Sequence, residues 1–129
     1  MLALETVRGV RVVADADALD AMLVAADALV LRLAPDDVFV VTPKPDGRLD
    51  VEYPNAIVVE ETGFVGCWLT PAELAVHVIP HVDWVLPDAR PSLAQGLIAG
   101  VPCKLWFEAG RTLLLCAAPY AHELAERLG

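Results

Sequence analysis

An α+β fold, with helices packed on an antiparallel sheet, is what this sequence predicts, and three observations predict it. Apolar residues recur at every second position in several short runs, which is the period of half-buried strands. Two of these runs lead into helix starts that carry a proline, Pro71 and Pro119, a residue that suits the first helical position. The order strand, turn, strand, helix also occurs twice, at 57–79 and again at 97–128, behind a looser strand-helix-strand-strand preface. Two strand-strand-helix units of this kind bury each helix against one face of an antiparallel sheet.

Taken in order, residues 7–13 predict a first strand interrupted by Gly9. Asp15 or Asp17 can then cap a helix that continues to about Ala26, because an Asp at a helix start accepts bonds from otherwise unpaired amides. The runs ALVLRL (28–33) and VFVV (38–41) flank Ala34-Pro35-Asp36-Asp37, which has turn chemistry, and make a first hairpin. The segment TPKPDGRLD (42–50), with two prolines and an Asp-Gly, reads as an exposed loop or hairpin tip. Residues 57–61 and 64–69 read as a second strand pair around Thr62-Gly63. Thr70-Pro71-Ala72-Glu73 has the form of a capping box, and its helix should run through Leu74 and Val78 and stop before Pro80. HVDWVLPDARP (81–91) reads as a short extended piece and a proline-bounded loop. From Leu97 to Phe107 a single long strand is expected, with Leu97, Ala99, Val101, Cys103, Leu105 and Phe107 on one face. Glu108 to Arg111 reverse the chain, 112–117 return it, and the closing helix presents Tyr120, Leu124 and Leu128 as one stripe.

At 129 residues and 57% hydrophobic content, the length is that of a single domain, 1–129, with a well-filled core that needs neither metal nor disulfide. A net charge of −9 repels a phosphate backbone, so nucleic acid is excluded as a partner class. No apolar run approaches the roughly 20 residues needed to cross a bilayer, so no membrane partner is expected. MLALETVRG lacks the pattern of a secretory leader, and a soluble cytoplasmic protein is expected. Cys67, Cys103 and Cys116 show no CxxC spacing and read as reduced thiols.

Several residues could carry chemistry. His77 and His81 stand four apart, the spacing that places two imidazoles on one helix face for zinc. Pro80 ends that helix between them and no third ligand is evident in sequence, so an interfacial or surface role is expected and no metal. With Ala109-Gly110 at the centre of the turn, Cys103 and Cys116 face each other across two strands. They form either a redox pair or two small buried hydrophobes, the second being the commoner case. Glu60 and Glu61 follow an apolar strand and precede Gly63, where a carboxylate can hold a pterin-like ring or a partner's arginine. In the blander alternative, one points to solvent while the other packs at the sheet edge. Glycines 63, 66, 96 and 100 lie in or beside strands, so a phosphate loop is excluded and bulges or close backbone approach are expected. Trp106 is placed opposite Leu105 and Phe107, alongside Ile98, Pro102 and Lys104. Either a helix covers that face or it is exposed, and an exposed Trp-Ile-Pro surface is a partner or ligand site.

The segments LRLAPDDVFVV (31–41), VVEETGFVGCWLTPAELAVHVI (58–79) and GLIAGVPCKLWFEAGRTLLLCAAPYAHELAERL (96–128), in this order, resemble the small gamma subunit of heterotetrameric sarcosine oxidase. They also resemble the related folate-binding domain of the glycine-cleavage T protein. The resemblance implies a compact α+β fold and an accessory role beside flavin- and folate-carrying subunits, without catalytic residues of its own. No nucleophile-base pair, paired acid or metal set can be assembled from the residues, which agrees with that role. The expectation is therefore a non-catalytic accessory or interaction subunit without a cofactor, with a protein partner or self-association and interface residues Trp106, Ile98 and Pro102. The alternative is a folate-like small-molecule binding domain, with tetrahydrofolate held near Glu60, Glu61 and Trp68.

Overall fold

The computed structural model describes residues 1–22, 26–41 and 55–129. In chain order its strands and helices are β1 (Glu5–Thr6), β2 (Gly9–Val13), α1 (Ala16–Asp20), β3 (Leu29–Ala34), β4 (Asp37–Val41), β5 (Ile57–Glu61), β6 (Phe64–Leu69), α2 (Pro71–Glu73), β7 (Ser92–Ile98), β8 (Val101–Phe107), β9 (Thr112–Ala117) and α3 (Ala121–Leu128). They form two antiparallel sheets in two compact units, Val7–Thr62 in one and Met1–Thr6 with Gly63–Gly129 in the other. The expected class is observed: antiparallel sheets with helices packed on them. The loop expected at 42–50 lies outside the described residues, and the first helix, expected to continue to about Ala26, ends at Asp20 with Ala21 as its C-cap.

In the unit Val7–Thr62 the sheet order is β3-β4-β2-β5. β3 and β4 form the expected hairpin, with Leu31 opposite Phe39 and a bulge between Arg32 and Ala34. One sheet face carries Val12, Val38 and Val40, which pack with Ala18 and Leu19 of α1. The Arg32 guanidinium folds over the hairpin end, donating to the carbonyls of Pro35 at 2.6 Å and Ala16 at 3.2 Å and to Asp20 at 3.0 Å. One side chain thereby ties α1 to the β3–β4 turn.

The other unit has the order β1-β6-β9-β8-β7. One face of this sheet is its core, where Val65, Leu69, Cys103, Leu105, Phe107, Leu114 and Cys116 meet Val78, Leu124 and Leu128 from the helical segments. Burying one such leucine contributes about 2 kcal/mol relative to leaving it exposed. The capping box forms as read: Thr70 Oγ1 accepts from the Glu73 amide at 3.1 Å, and Glu73 Oε1 from the Thr70 amide at 3.0 Å. Beyond α2 the chain widens into a π turn at Leu74–Val78 and tightens into a 3-10 turn at Ile79–His81. Helical geometry therefore passes through Pro80 instead of stopping before it. The Ile79 amide reaches back five residues to the Leu74 carbonyl, so the missing N–H of Pro80 interrupts no regular ladder.

Two strand readings and one helix reading change. Residues 57–61 and 64–69 do not pair: β5 joins β2, and β6 joins β9 and β1. The strand-strand-helix order recurs along the chain, but the first two strands part into separate sheets at Thr62-Gly63. The expected single strand from Leu97 to Phe107 is a hairpin, β7 and β8, reversed at Ala99 and Gly100, both with positive φ. Ile98 pairs with Val101 and is fully buried in the core, whereas Leu97 is 55% exposed. The two-residue turn shifts the inward set from even to odd positions, so Ile98 does not share a face with Trp106. In α3 the buried stripe is Leu124, Ala125 and Leu128, and Tyr120, which precedes the helix in a 3-10 turn, is exposed.

Candidate functional site

In the unit Val7–Thr62 the residues of interest lie on β5 and its neighbour β2. Arg11 on β2 stands opposite Phe39 on one side and Val59 on the other, so Asp37 and Glu61 are its diagonal neighbours on one face. Its guanidinium grips Asp37 with Nε to Oδ1 and Nη2 to Oδ2, both 2.6 Å, and reaches Glu61 with Nη1 at 3.0 Å. Asp37 is the main influence that raises the Arg11 pKa. Glu61 is thus committed to an ion pair, while Glu60, on the other face opposite Val10, is exposed. The blander alternative describes this strand end: one carboxylate in solvent, its neighbour at the sheet. Before them, Ile57, Val58 and Val59 are 58%, 47% and 50% exposed.

In the other unit, Trp68, Leu113, Trp106 and Leu93 form a row across the face opposite the core. The tight turn after β8 closes through Glu108 N–H to the Arg111 carbonyl at 2.9 Å and brings both charged side chains beside this row. Trp106 Nε1 donates to Glu108 Oε2 at 3.0 Å, Arg111 Nε donates to Glu108 Oε1 at 2.9 Å, and the Arg111 guanidinium stacks 3.6 Å from the Trp68 ring centroid. The Trp106 bond, reinforced by Arg111, holds the Glu108 carboxyl below its ordinary range. Lys104 lies over Phe64 at 5.6 Å on the same face. Pro102 is exposed there and Trp106 half-buried.

Trp106 and Pro102 therefore share a face as expected, Ile98 does not, and Trp68 joins them on it. The hairpin that would have set Trp68 beside Glu60 and Glu61 does not form. Sequence reading missed Arg11, Glu108 and Arg111. An acid and a base three apart around a tight turn that follows a Trp were the available signal for the last two.

The three thiols are free, and Cys103 and Cys116 face each other in register as read. Burial pushes Cys103 up to about 12 and Cys67 up to about 11, and raises Cys116 as well. Each is therefore a protonated, small apolar group at neutral pH. His77 Nδ1 lies 3.4 Å from the Leu128 carbonyl, and His81 is exposed. Among the described residues no three His, Cys, Asp or Glu side chains gather as metal ligands. No helix among them is long and apolar enough to cross a membrane.

The two antiparallel sheets with their short helices define an α+β fold similar to that of a sarcosine oxidase subunit. The particular likeness is to a chain of the heterotetrameric sarcosine oxidase from Corynebacterium sp. U-96, in complex with pyrrole 2-carboxylate. The TM-score is 0.71 at 14% identity, covering 97% of this chain and 79% of that one. No family model and no curated protein matches the sequence.

Proposed function

We propose that this chain is a non-catalytic accessory subunit of a larger oxidase-like assembly, in the manner of the gamma subunit its sequence resembles. The observation that carries the reading is the fold, which follows a chain of a heterotetramer over nearly its whole length. Because 97% of this chain lies against 79% of the other, the matched chain is not much longer than this one, which favours a small subunit. The buried, protonated thiols and the Glu61 carboxylate held by Arg11 are committed to structure and supply neither a nucleophile nor a free base. The subunit works in the cytoplasm beside protein partners and binds no cofactor itself.

The test is isolation of the chain from its own cells with an affinity tag on the chromosomal copy. A stoichiometric complex containing a flavin-carrying chain is expected, and recovery of the chain alone as a monomer refutes the proposal. Tetrahydrofolate binding is the alternative, favoured by the exposed Glu60 carboxylate. A rise in Tm with tetrahydrofolate that disappears in Glu60→Ala would establish it.

A further inference from the structure

The two sheets leave four edge strands among the described residues: β1, β7, β3 and β5. Unpaired edges invite other strands, and folded proteins ordinarily blunt them. β1 is two residues long. On β7, the Trp84 indole donates to the Leu97 carbonyl at 2.8 Å and covers that strand. β3 is bulged, and the Arg32 guanidinium takes the Ala34 and Pro35 carbonyls at its end. β5 has neither brevity, bulge nor a covering side chain among the described residues. Five residues long, it exposes Ile57, Val58 and Val59 at 58%, 47% and 50%, and its outer backbone edge faces away from β2.

We propose that the outer edge of β5 receives an extended strand of a partner protein in which apolar residues alternate with lysine or arginine. The free N–H and C=O groups of an edge select an extended backbone, because only a strand pairs with them in sequence. The side chains select its composition. Ile57 and Val59 on one face and Val58 on the other offer apolar neighbours. Glu60, exposed and without an ion pair among the described residues, offers a carboxylate to a cation directly across. A second copy of this chain fits poorly, because it would bring another Glu60, another Glu61 and a charge of −9. The inference deepens the accessory-subunit reading and rests on it for the partner's identity.

The experiment uses the intact chain and three synthetic octapeptides: alternating Val and Lys, alternating Val and Glu, and the Val-Lys peptide with alternate amides N-methylated. Amide hydrogen exchange at 57–61 and calorimetric titration are the readouts. The Val-Lys peptide should slow exchange of these amides at least tenfold. The Val-Glu and N-methylated peptides should bind at least tenfold more weakly, as should the Val-Lys peptide to a Val58→Lys/Glu60→Lys variant whose near-ultraviolet dichroism is unchanged. Equal binding of the N-methylated peptide overturns the backbone edge, and equal binding of the Val-Glu peptide overturns the basic partner. Peptide-independent protection with concentration-dependent dimerisation assigns the edge to a second copy and overturns the proposal. In the tagged-chain isolation, wild-type recovery of the complex by the double variant overturns the edge while the accessory role stands. Absence of a complex with the wild-type chain overturns the accessory role, and the peptide titration then decides the edge.

Discussion

Replacing Ala99 by Asn should stabilise this protein, although Ala99 is packed against the core of its unit. Ala99 has φ +50° and Gly100 φ +79°, the two-residue turn with both central residues left-handed that joins β7 to β8. An L-residue with a Cβ spends about 1–2 kcal/mol in that region, and Asn adopts it more readily than Ala. Against this stands the half-buried methyl, for which about half of the ~0.8 kcal/mol of a buried methylene is at stake. The net expectation for Ala99→Asn is a gain of about 0.5–1 kcal/mol. Ala99→Gly relieves the same strain but gives back about 0.5–1 kcal/mol of backbone entropy, so it should be close to neutral. Ala99→Val, β-branched at positive φ, should lose at least about 1 kcal/mol. The bonds from the Ala99 amide to the His81 carbonyl (3.3 Å) and from Arg127 Nη1 to the Ala99 carbonyl (2.7 Å) use backbone atoms of residue 99 and survive all three changes. Urea unfolding followed by far-ultraviolet dichroism gives the ranking Asn above Gly and Ala, with Val last. An Asn variant less stable than the parent, or a neutral Val variant, would refute a left-handed residue 99.

Thr70→Ala removes the acceptor for the Glu73 amide and should cost about 1 kcal/mol in the same assay, whereas Thr70→Ser should restore most of it. Gly96→Ala would set a Cβ 2.6 Å from Trp84 Cε2, so the indole must move and give up its bond to Leu97. A red-shifted tryptophan emission and a loss of about 1–3 kcal/mol are expected, and unchanged emission would contradict this packing. Glu108 gives a pH dependence whose sign follows from its pKa, held below the ordinary 4.5 chiefly by the Trp106 hydrogen bond. A depressed folded pKa means stability that is present above the unfolded value and lost as pH falls through the folded one. Glu108→Gln should therefore be less stable than the parent near neutral pH, by a modest amount because the site is solvent-screened, and the difference should close in acid. A difference that widens in acid would reverse the assignment.

Local signals in the sequence carried far. The capping box at Thr70 to Glu73, the β3–β4 hairpin and the facing of Cys103 and Cys116 were legible because each depends on residues close in the chain or on the register that one short turn imposes. The turn at Ala99-Gly100 was not, since Ala carries no turn preference and the apolar alternation continues across it. Reading through it left Ile98 on the wrong face. Thr62-Gly63 misled in the opposite direction, because it has turn chemistry yet joins strands of different sheets.

What the sequence by itself determined is therefore the class of fold, most of the strands and helix starts, and a net charge of −9. What only the tertiary structure decided is which strands pair and which charges meet. β5 belongs beside β2, where Arg11 takes Glu61 from 50 residues away, and β6 beside β9, where Arg111 lies over Trp68. The physical reason is range. Caps and turns act over a few residues, whereas strand pairing depends on which apolar faces can be buried together across the whole chain, and that competition leaves no mark in any local stretch.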